Sequence, residues 1–153
     1  MALVYFGLGS NLGQKKEFIE LAVSEIEKQI GSIVALSAFY ESAPWGFESP
    51  NSFINACAAV ETTLSPHACL SVIAAIENQL GRPKKDYKGY KDRVIDIDIL
   101  FYDQLVIDEE DLKVPHPLLH QRLFVLGPLA QIAPKLMHPL LHKNIETLLE
   151  EIN

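Results

Sequence analysis

The sequence predicts an α+β fold: a ferredoxin-like βαββαβ sandwich with additional C-terminal elements. Three observations predict it. Strand-like and helix-like periods alternate along the chain in that order, Gly and Pro punctuate the joins, and no internal repeat or low-complexity linker interrupts them. At 153 residues the chain has the size of one domain, residues 1–153, able to bury a core without disulfide or metal staples.

Ala2 to Leu8 reads as the first strand. Gly13 to Ile30 follows with helical spacing of Phe18, Ile19, Ala22, Val23, Ile26 and Ile30, and Gly31 is placed to stop it. Ile33 to Tyr40 and Phe53 to Thr62 read as strands, joined by a loop containing Pro44, Gly46 and Pro50. Ser65-Pro66 opens the second helix with Pro at its first position, and Gly81 closes it. Val94 to Phe101 is the next strand, Val106 to Val114 a small hairpin-like excursion, and Ile145 to Glu151 a short terminal helix.

Gly7-Leu8-Gly9-Ser10-Asn11-Leu12-Gly13 lies between a strand and a helix and invites a nucleotide-loop reading. It fails on detail. A dinucleotide fingerprint needs glycine where Leu12 stands, and a P-loop needs Lys then Ser or Thr after its last glycine, where Gln14 and Lys15 stand. A tight connection capped by Ser10 or Asn11, mainly structural, is expected instead.

The cysteines, Cys57 and Cys69, have no zinc-like spacing and are expected as buried free thiols. No apolar run approaches the roughly 20 residues that cross a bilayer and no secretory signal opens the chain, so no membrane partner and a cytoplasmic location are expected. A monomer is expected.

The most informative stretch is Arg93-Val94-Ile95-Asp96-Ile97-Asp98-Ile99-Leu100. Side chains alternate along a strand, so Ile95, Ile97 and Ile99 face one way while Asp96 and Asp98 share the other, their α-carbons roughly 7 Å apart. Two carboxylates in an apolar run suit one or two hard divalent cations such as magnesium. The alternative is a solvated face, or pairing with Arg93 and nearby lysines. Directly upstream, residues 82–93 read RPKKDYKGYKDR: six basic residues against two acidic, a net +4 on a chain of net charge −7, which leaves −11 for the remainder. An acidic protein with one cationic loop is not the footprint of a nucleic-acid binder, so no nucleic-acid partner is expected. The loop reads either as a solvated turn or as a clamp for something small and highly anionic. Metal ligands beside such a clamp suggest phosphoryl-type transfer from a nucleotide.

Phe53 and Asn55 lie two apart in a strand, so an aromatic ring and a carboxamide point to one side. A flat heterocycle can use both, the ring by stacking and the amide by reading an edge. Ordinary core for Phe53 and a strand-end polar role for Asn55 are the alternative.

These segments carry a family resemblance. GRPKKDYKGYKDRVIDIDIL followed by VPHPLLHQRLFVLGPLAQIAP closely resembles the 6-hydroxymethyl-7,8-dihydropterin pyrophosphokinases of folate biosynthesis, and GLGSNLG, FYESAPWG and FINACAAVET extend the likeness from Val4 to about Pro134. The resemblance implies transfer of diphosphate from ATP to the hydroxymethyl pterin, with two Mg2+ ions on Asp96 and Asp98. It implies a pterin held between Phe53 and Phe124 and hydrogen-bonded by Asn55 and by Ser42, Ala43 and Trp45. It implies ATP contacts from Glu77, Arg82, Lys84, Lys88, Tyr90, Arg93, His116 and Arg122, with Ile99, Leu112 and Lys113 at the adenine largely through backbone groups, and Arg82 and Arg93 acting on the migrating phosphates. Left to themselves, His116 in Val-Pro-His-Pro reads as a rigid turn residue and Glu77 as a solvent-facing helical carboxylate.

Four positions depart from the familiar pattern. Lys84 and Lys88 stand where arginines are known, exchanging bidentate phosphate contacts for point charges. Tyr90 stands where a tryptophan is expected, in a loop one residue longer before Arg93. Phe53 stands where Tyr is common. Two other function classes fit the residues: a metal-dependent phosphotransferase with another acceptor, which would leave Phe53, Asn55 and Phe124 without a planar ligand, and a catalytically silent binding domain, which would leave the aspartates and arginines without a task.

Overall fold

The computed structural model describes residues 1–43, 51–81 and 94–152. The expectations for Trp45 and for Arg82, Lys84, Lys88, Tyr90 and Arg93 lie outside the described residues. The chain runs β1 (Ala2–Ser10), α1 (Lys15–Gln29), β2 (Gly31–Leu36), β3 (Tyr40–Ser42), β4 (Phe53–Thr62), α2 (Pro66–Gln79), β5 (Asp96–Tyr102), β6 (Ile107–Asp108), β7 (Lys113–Val114), a 3-10 turn (Leu119–Gln121), α3 (Leu123–Ile132) and α4 (Ile145–Ile152). The main sheet has the order β2-β4-β1-β5 with β3 added beside β4, and every pairing in it is antiparallel. Setting β3 aside, this is the strand order of the expected βαββαβ sandwich, in which both crossover helices cover one face.

That face is apolar throughout. Ile19, Ala22 and Ile26 of α1 and Cys69, Ile73 and Ile76 of α2 pack on Val4, Phe6, Leu8, Ala56, Ala58, Val60, Ile97 and Ile99. Each large aliphatic side chain so buried contributes about 1.5–3 kcal/mol. The other face is covered only in part. There Tyr5, Cys57, Ala59, Leu100 and Phe101 pack under Val125, Leu126 and Leu129 of α3 and Ile145 and Leu148 of α4. Both cysteines are buried free thiols; burial pushes Cys57 above its ordinary range and Cys69 up to about 11.

Several boundaries differ from expectation. β1 runs on to Ser10, because Gly9 and Ser10 still pair with Asn55 and Ile54. Ser10 and Asn11 therefore do not cap α1: its N-cap is Gln14, without a side-chain bond, while Asn11 Nδ2 donates to the Asn51 carbonyl at 3.4 Å. Gly31 does more than stop α1. It opens β2, where a Cβ would stand 1.9 Å from the Glu61 carbonyl oxygen, so only glycine lets the two backbones approach this closely. The expected strand from Ile33 to Tyr40 breaks into β2 and β3. Between them Ser37 N–H donates to Cys57 O, Ser37 Oγ accepts the Cys57 N–H, and Ala38 N–H donates to Gln131 Oε1. The opening of α2 is as read, with Ser65 Oγ accepting the Ala68 N–H.

The helix α3 had no expectation behind it. Its segment, LFVLGPLAQI, is apolar nearly all round and carries Gly127 and Pro128, so it shows no polar stripe and contains two residues that ordinarily end helices. Burial against β4 and the sheet's second face holds it helical.

Candidate active site

β1 lies between β4 and β5, which brings residues far apart in sequence into rows across the sheet. One row reads Tyr40, Asn55, Gly9, Asp96, and the next reads Cys57, Gly7, Asp98. Asp96 and Asp98 alternate with Ile97 and Ile99, whose side chains enter the α1/α2 core, so the carboxylates stand on the opposite face, half-buried. Asn55 and Phe53 share that face, with Cys57 further along the strand. The aspartate pair and the expected acceptor pocket thus meet on one surface, separated by a glycine.

Local bonds orient the pocket. Asn55 Nδ2 donates to Ser42 Oγ at 2.7 Å and to the Tyr40 carbonyl at 3.2 Å, which turns the amide so that Oδ1 is the atom available to a ligand. Ser42 Oγ accepts that bond and keeps its own hydrogen to donate. Ser42 pairs with Phe53 across β3 and β4, and Phe124 packs from the start of α3 on the same side. The strand β4 enters the pocket from an anchored end: Ser52 Oγ donates to Glu41 Oε2 at 2.8 Å, and Lys15 Nζ donates to the Ser52 carbonyl at 3.1 Å.

Beside the aspartates lie His116 and Arg122. The His116 N–H donates to the Leu100 carbonyl of β5 at 3.0 Å, and its Nδ1 accepts the Leu118 N–H at 3.2 Å. Burial drives the imidazole pKa down to about 4, helped by the Arg122 charge and opposed by Asp96. A neutral ring with Nδ1 accepting carries its hydrogen on Nε2. Arg122 is itself 4% exposed, its guanidinium carbon 5.7 Å from the centroid of Phe124.

Other expected nucleotide residues are placed differently. Ile99 and Leu112 put their side chains into the α1/α2 core, so only their backbones can face a nucleotide. Lys113 Nζ pairs with Asp108 Oδ1 at 2.7 Å across the β6–β7 hairpin. Glu77 is buried, in contrast to a solvent-facing helical carboxylate, and its Oε2 accepts the N–H of Ile97 at 2.8 Å. It therefore grips β5 midway between the two aspartates. The residue that sequence reasoning passed over is Gly9, treated as part of the connection after a strand ending at Leu8; the alternation of Gly7 and Gly9 with Phe6 and Leu8 was the available sign that the strand runs on.

Two carboxylates on one strand face, half-open to solvent, offer the oxygen donors of a hard divalent cation while leaving positions for substrate oxygens. Among the described residues a separate trio, His67, Glu109 and Asp111, also has ligand atoms within 4.8 Å of one another, but all three are exposed. No helix is long and apolar enough to cross a membrane among the described residues.

Comparison with known proteins decides the family. A model of the family described as 7,8-dihydro-6-hydroxymethylpterin-pyrophosphokinase (HPPK) matches residues 5–134. The chain belongs to the HPPK family. It is 45% identical over 141 residues to the 2-amino-4-hydroxy-6-hydroxymethyldihydropteridine pyrophosphokinase of Porphyromonas gingivalis, covering 91% of this chain and 95% of that one. It is 40% identical over 146 residues to the enzyme of the same name from Aquifex aeolicus, covering 95% and 89%. Among solved structures, a Plasmodium falciparum HPPK-DHPS, wild type with pteroate, superposes with a TM-score of 0.80 at 16% identity, over 98% of this chain and 44% of that one. This HPPK-family chain thus spans less than half of that two-part protein, and the likeness there is one of fold.

Proposed function

We propose that this chain transfers the terminal diphosphate of ATP to the hydroxymethyl oxygen of 6-hydroxymethyl-7,8-dihydropterin, releasing AMP, in folate biosynthesis. Family membership supplies the reaction. The observation that carries it to named residues is the row Asn55, Gly9, Asp96, which sets an edge-reading amide and a metal-binding carboxylate on one face of three adjacent strands.

In this reading the pterin stacks between Phe53 and Phe124, with Asn55 Oδ1 accepting from its edge and the Ser42 hydroxyl donating. Asp96 and Asp98 would hold Mg2+, two ions in the full complex, which supplies neutralisation of phosphate charge and a lowered pKa for the acceptor hydroxyl. The acceptor oxygen bonds to the β-phosphorus as the bond from that phosphorus to the α-phosphate oxygen breaks, and the hydroxyl proton leaves to solvent. His116 donates its Nε2 hydrogen to a phosphate oxygen. Arg122, held in place against Phe124, adds a fixed positive charge, and Arg82 and Arg93 act on the migrating phosphates. Phosphoryl transfer asks mainly for positioning and charge stabilisation, so no general base is assigned. Glu77 keeps β5 in place and need not touch the nucleotide. The unit is residues 1–153, acting as a monomer in the cytoplasm.

The test is to incubate the protein with ATP, Mg2+ and the hydroxymethyl dihydropterin. AMP and pterin diphosphate should form together, and AMP only when both pterin and metal are present. Formation of ADP, or AMP release indifferent to pterin, would overturn the reading.

A further inference from the structure

Gly9 needs no glycine for its own backbone. It lies in β1, paired on both sides, with φ outside the left-handed region, and a Cβ built on it meets nothing closer than 3.4 Å. The atoms that this Cβ would meet are the informative ones: Asn55 Oδ1 at 3.4 Å and Phe53 Cδ1 at 3.6 Å. These are the amide oxygen and the aromatic ring between which the acceptor's edge and face must lie. On the other side of Gly9 in the same row stands Asp96. Gly7, two residues earlier on the same side, differs. Its Cβ would meet only side-chain carbons of Leu100, at 3.4 to 3.6 Å, beneath the part of the sheet that α3 and α4 cover.

We infer that Gly9 is a specificity-determining residue: its missing side chain leaves open the crossing between Asn55 and Asp96, where the edge of a flat fused-ring acceptor passes over the bare backbone of β1. This rests on the pterin reading of the site and adds a residue to it. A ligand that gives a hydrogen to Asn55 Oδ1 while stacking on Phe53, and still brings its hydroxyl to the aspartates, has to cross the α-carbon of Gly9. A methyl there occupies that crossing. The ring must then lift from Phe53, lose the Asn55 bond, or carry its hydroxyl away from the metal site. The ligand-free protein has room for the same methyl, so the cost falls on binding.

The experiment compares Gly9→Ala and Gly7→Ala with the wild type by calorimetry, using 6-hydroxymethylpterin and a nonhydrolysable ATP analogue with Mg2+ as separate probes, together with thermal melts and steady-state kinetics. Gly9→Ala should weaken pterin binding by about 10- to 100-fold, the range expected for overpacking a fitted contact, and raise KM for the pterin. Its ATP-analogue affinity and melting temperature should stay near wild type. Gly7→Ala should leave pterin affinity within about threefold, since one methyl against a mobile Leu side chain is readily absorbed. Equal pterin affinity in Gly9→Ala and wild type overturns the inference, as does a Gly9→Ala protein that fails to fold or loses both ligands equally. Failure of the wild type to bind pterin at all would instead strike the functional reading itself.

Discussion

The two halves of β5 are neighbours in one strand and face opposite fates. Asp96 and Asp98 stand opposite Gly9 and Gly7, half-buried, with nothing apolar laid over them by β1. Leu100 and Phe101 are fully enclosed, Phe101 opposite Tyr5. A bulge divides them: the register shifts between Tyr5 and Phe6, so that Leu100 and Phe101 both turn to the α3/α4 side. The apolar half builds the second core, where the Phe101 ring meets Tyr5 edge-on at 6.2 Å and His138 at 5.6 Å. The acidic half is left uncovered. The proposed site lies where the sheet's second face runs out from under its helices, on a strand whose other half is packed.

If this division is right, the two halves answer to different measurements. Asp96→Ala or Asp98→Ala should lower turnover by at least about a thousandfold, since several kcal/mol of charge stabilisation would depend on the metal proposed for them. The melting temperature without metal should hold or rise, because two like charges repel when no cation is bound. Rates of AMP formation across a Mg2+ titration, with a melt of each variant, check this; near-normal activity in either variant would dissolve the contrast.

Phe101→Ala should do the reverse. Truncating a fully buried aromatic costs about 3–5 kcal/mol of folding stability, read by urea denaturation, while the protein that remains folded keeps its affinity for both ligands. A loss of binding without loss of stability would mean that the halves are not separable.

A smaller effect sharpens the boundary at Asn55. Asn55→Ala should weaken pterin binding by about 1–3 kcal/mol through ring-edge groups left unpaired, with ATP binding unchanged. Calorimetry on each ligand separately decides it, and equal losses for both would indicate damage to β3 and β4.

The smallest effect concerns pH. The folded-state pKa of His116, about 4, lies below the ordinary 6.5, so the unfolded chain binds the proton more readily between those values. Its contribution to stability is therefore fully present above pH 6.5 and is lost as pH falls toward 4. His116→Asn, whose amide oxygen can still accept from Leu118, should flatten the dependence of melting temperature on pH in that window. Some slope should persist, because burial lowers the pKa of His138 as well, with His120 and His142 adding to it. An unchanged slope would remove His116 from the account.

By itself the sequence determined which way side chains point. The period of two set Ile97 and Ile99 against Asp96 and Asp98, and put Phe53 beside Asn55, because a strand's alternation is a local property written in successive residues. Ser65-Pro66 determined the start of α2 for the same reason, since a cap and its helix are neighbours in the chain. With the family resemblance, that was enough to propose the pterin and metal residues; Arg82, Arg93 and Trp45 stay as expectations outside the described residues. What stands opposite a side chain was decided only by tertiary structure. Gly9 reads as a turn residue until β1 is placed between β4 and β5, and Glu77 reads as a surface carboxylate until α2 is laid along β5 and its Oε2 meets the Ile97 N–H. α3 is illegible alone because a helix that is apolar nearly all round shows no polar stripe. In each case the partner comes from a distant part of the chain, and strand order and helix packing, which are non-local, select it.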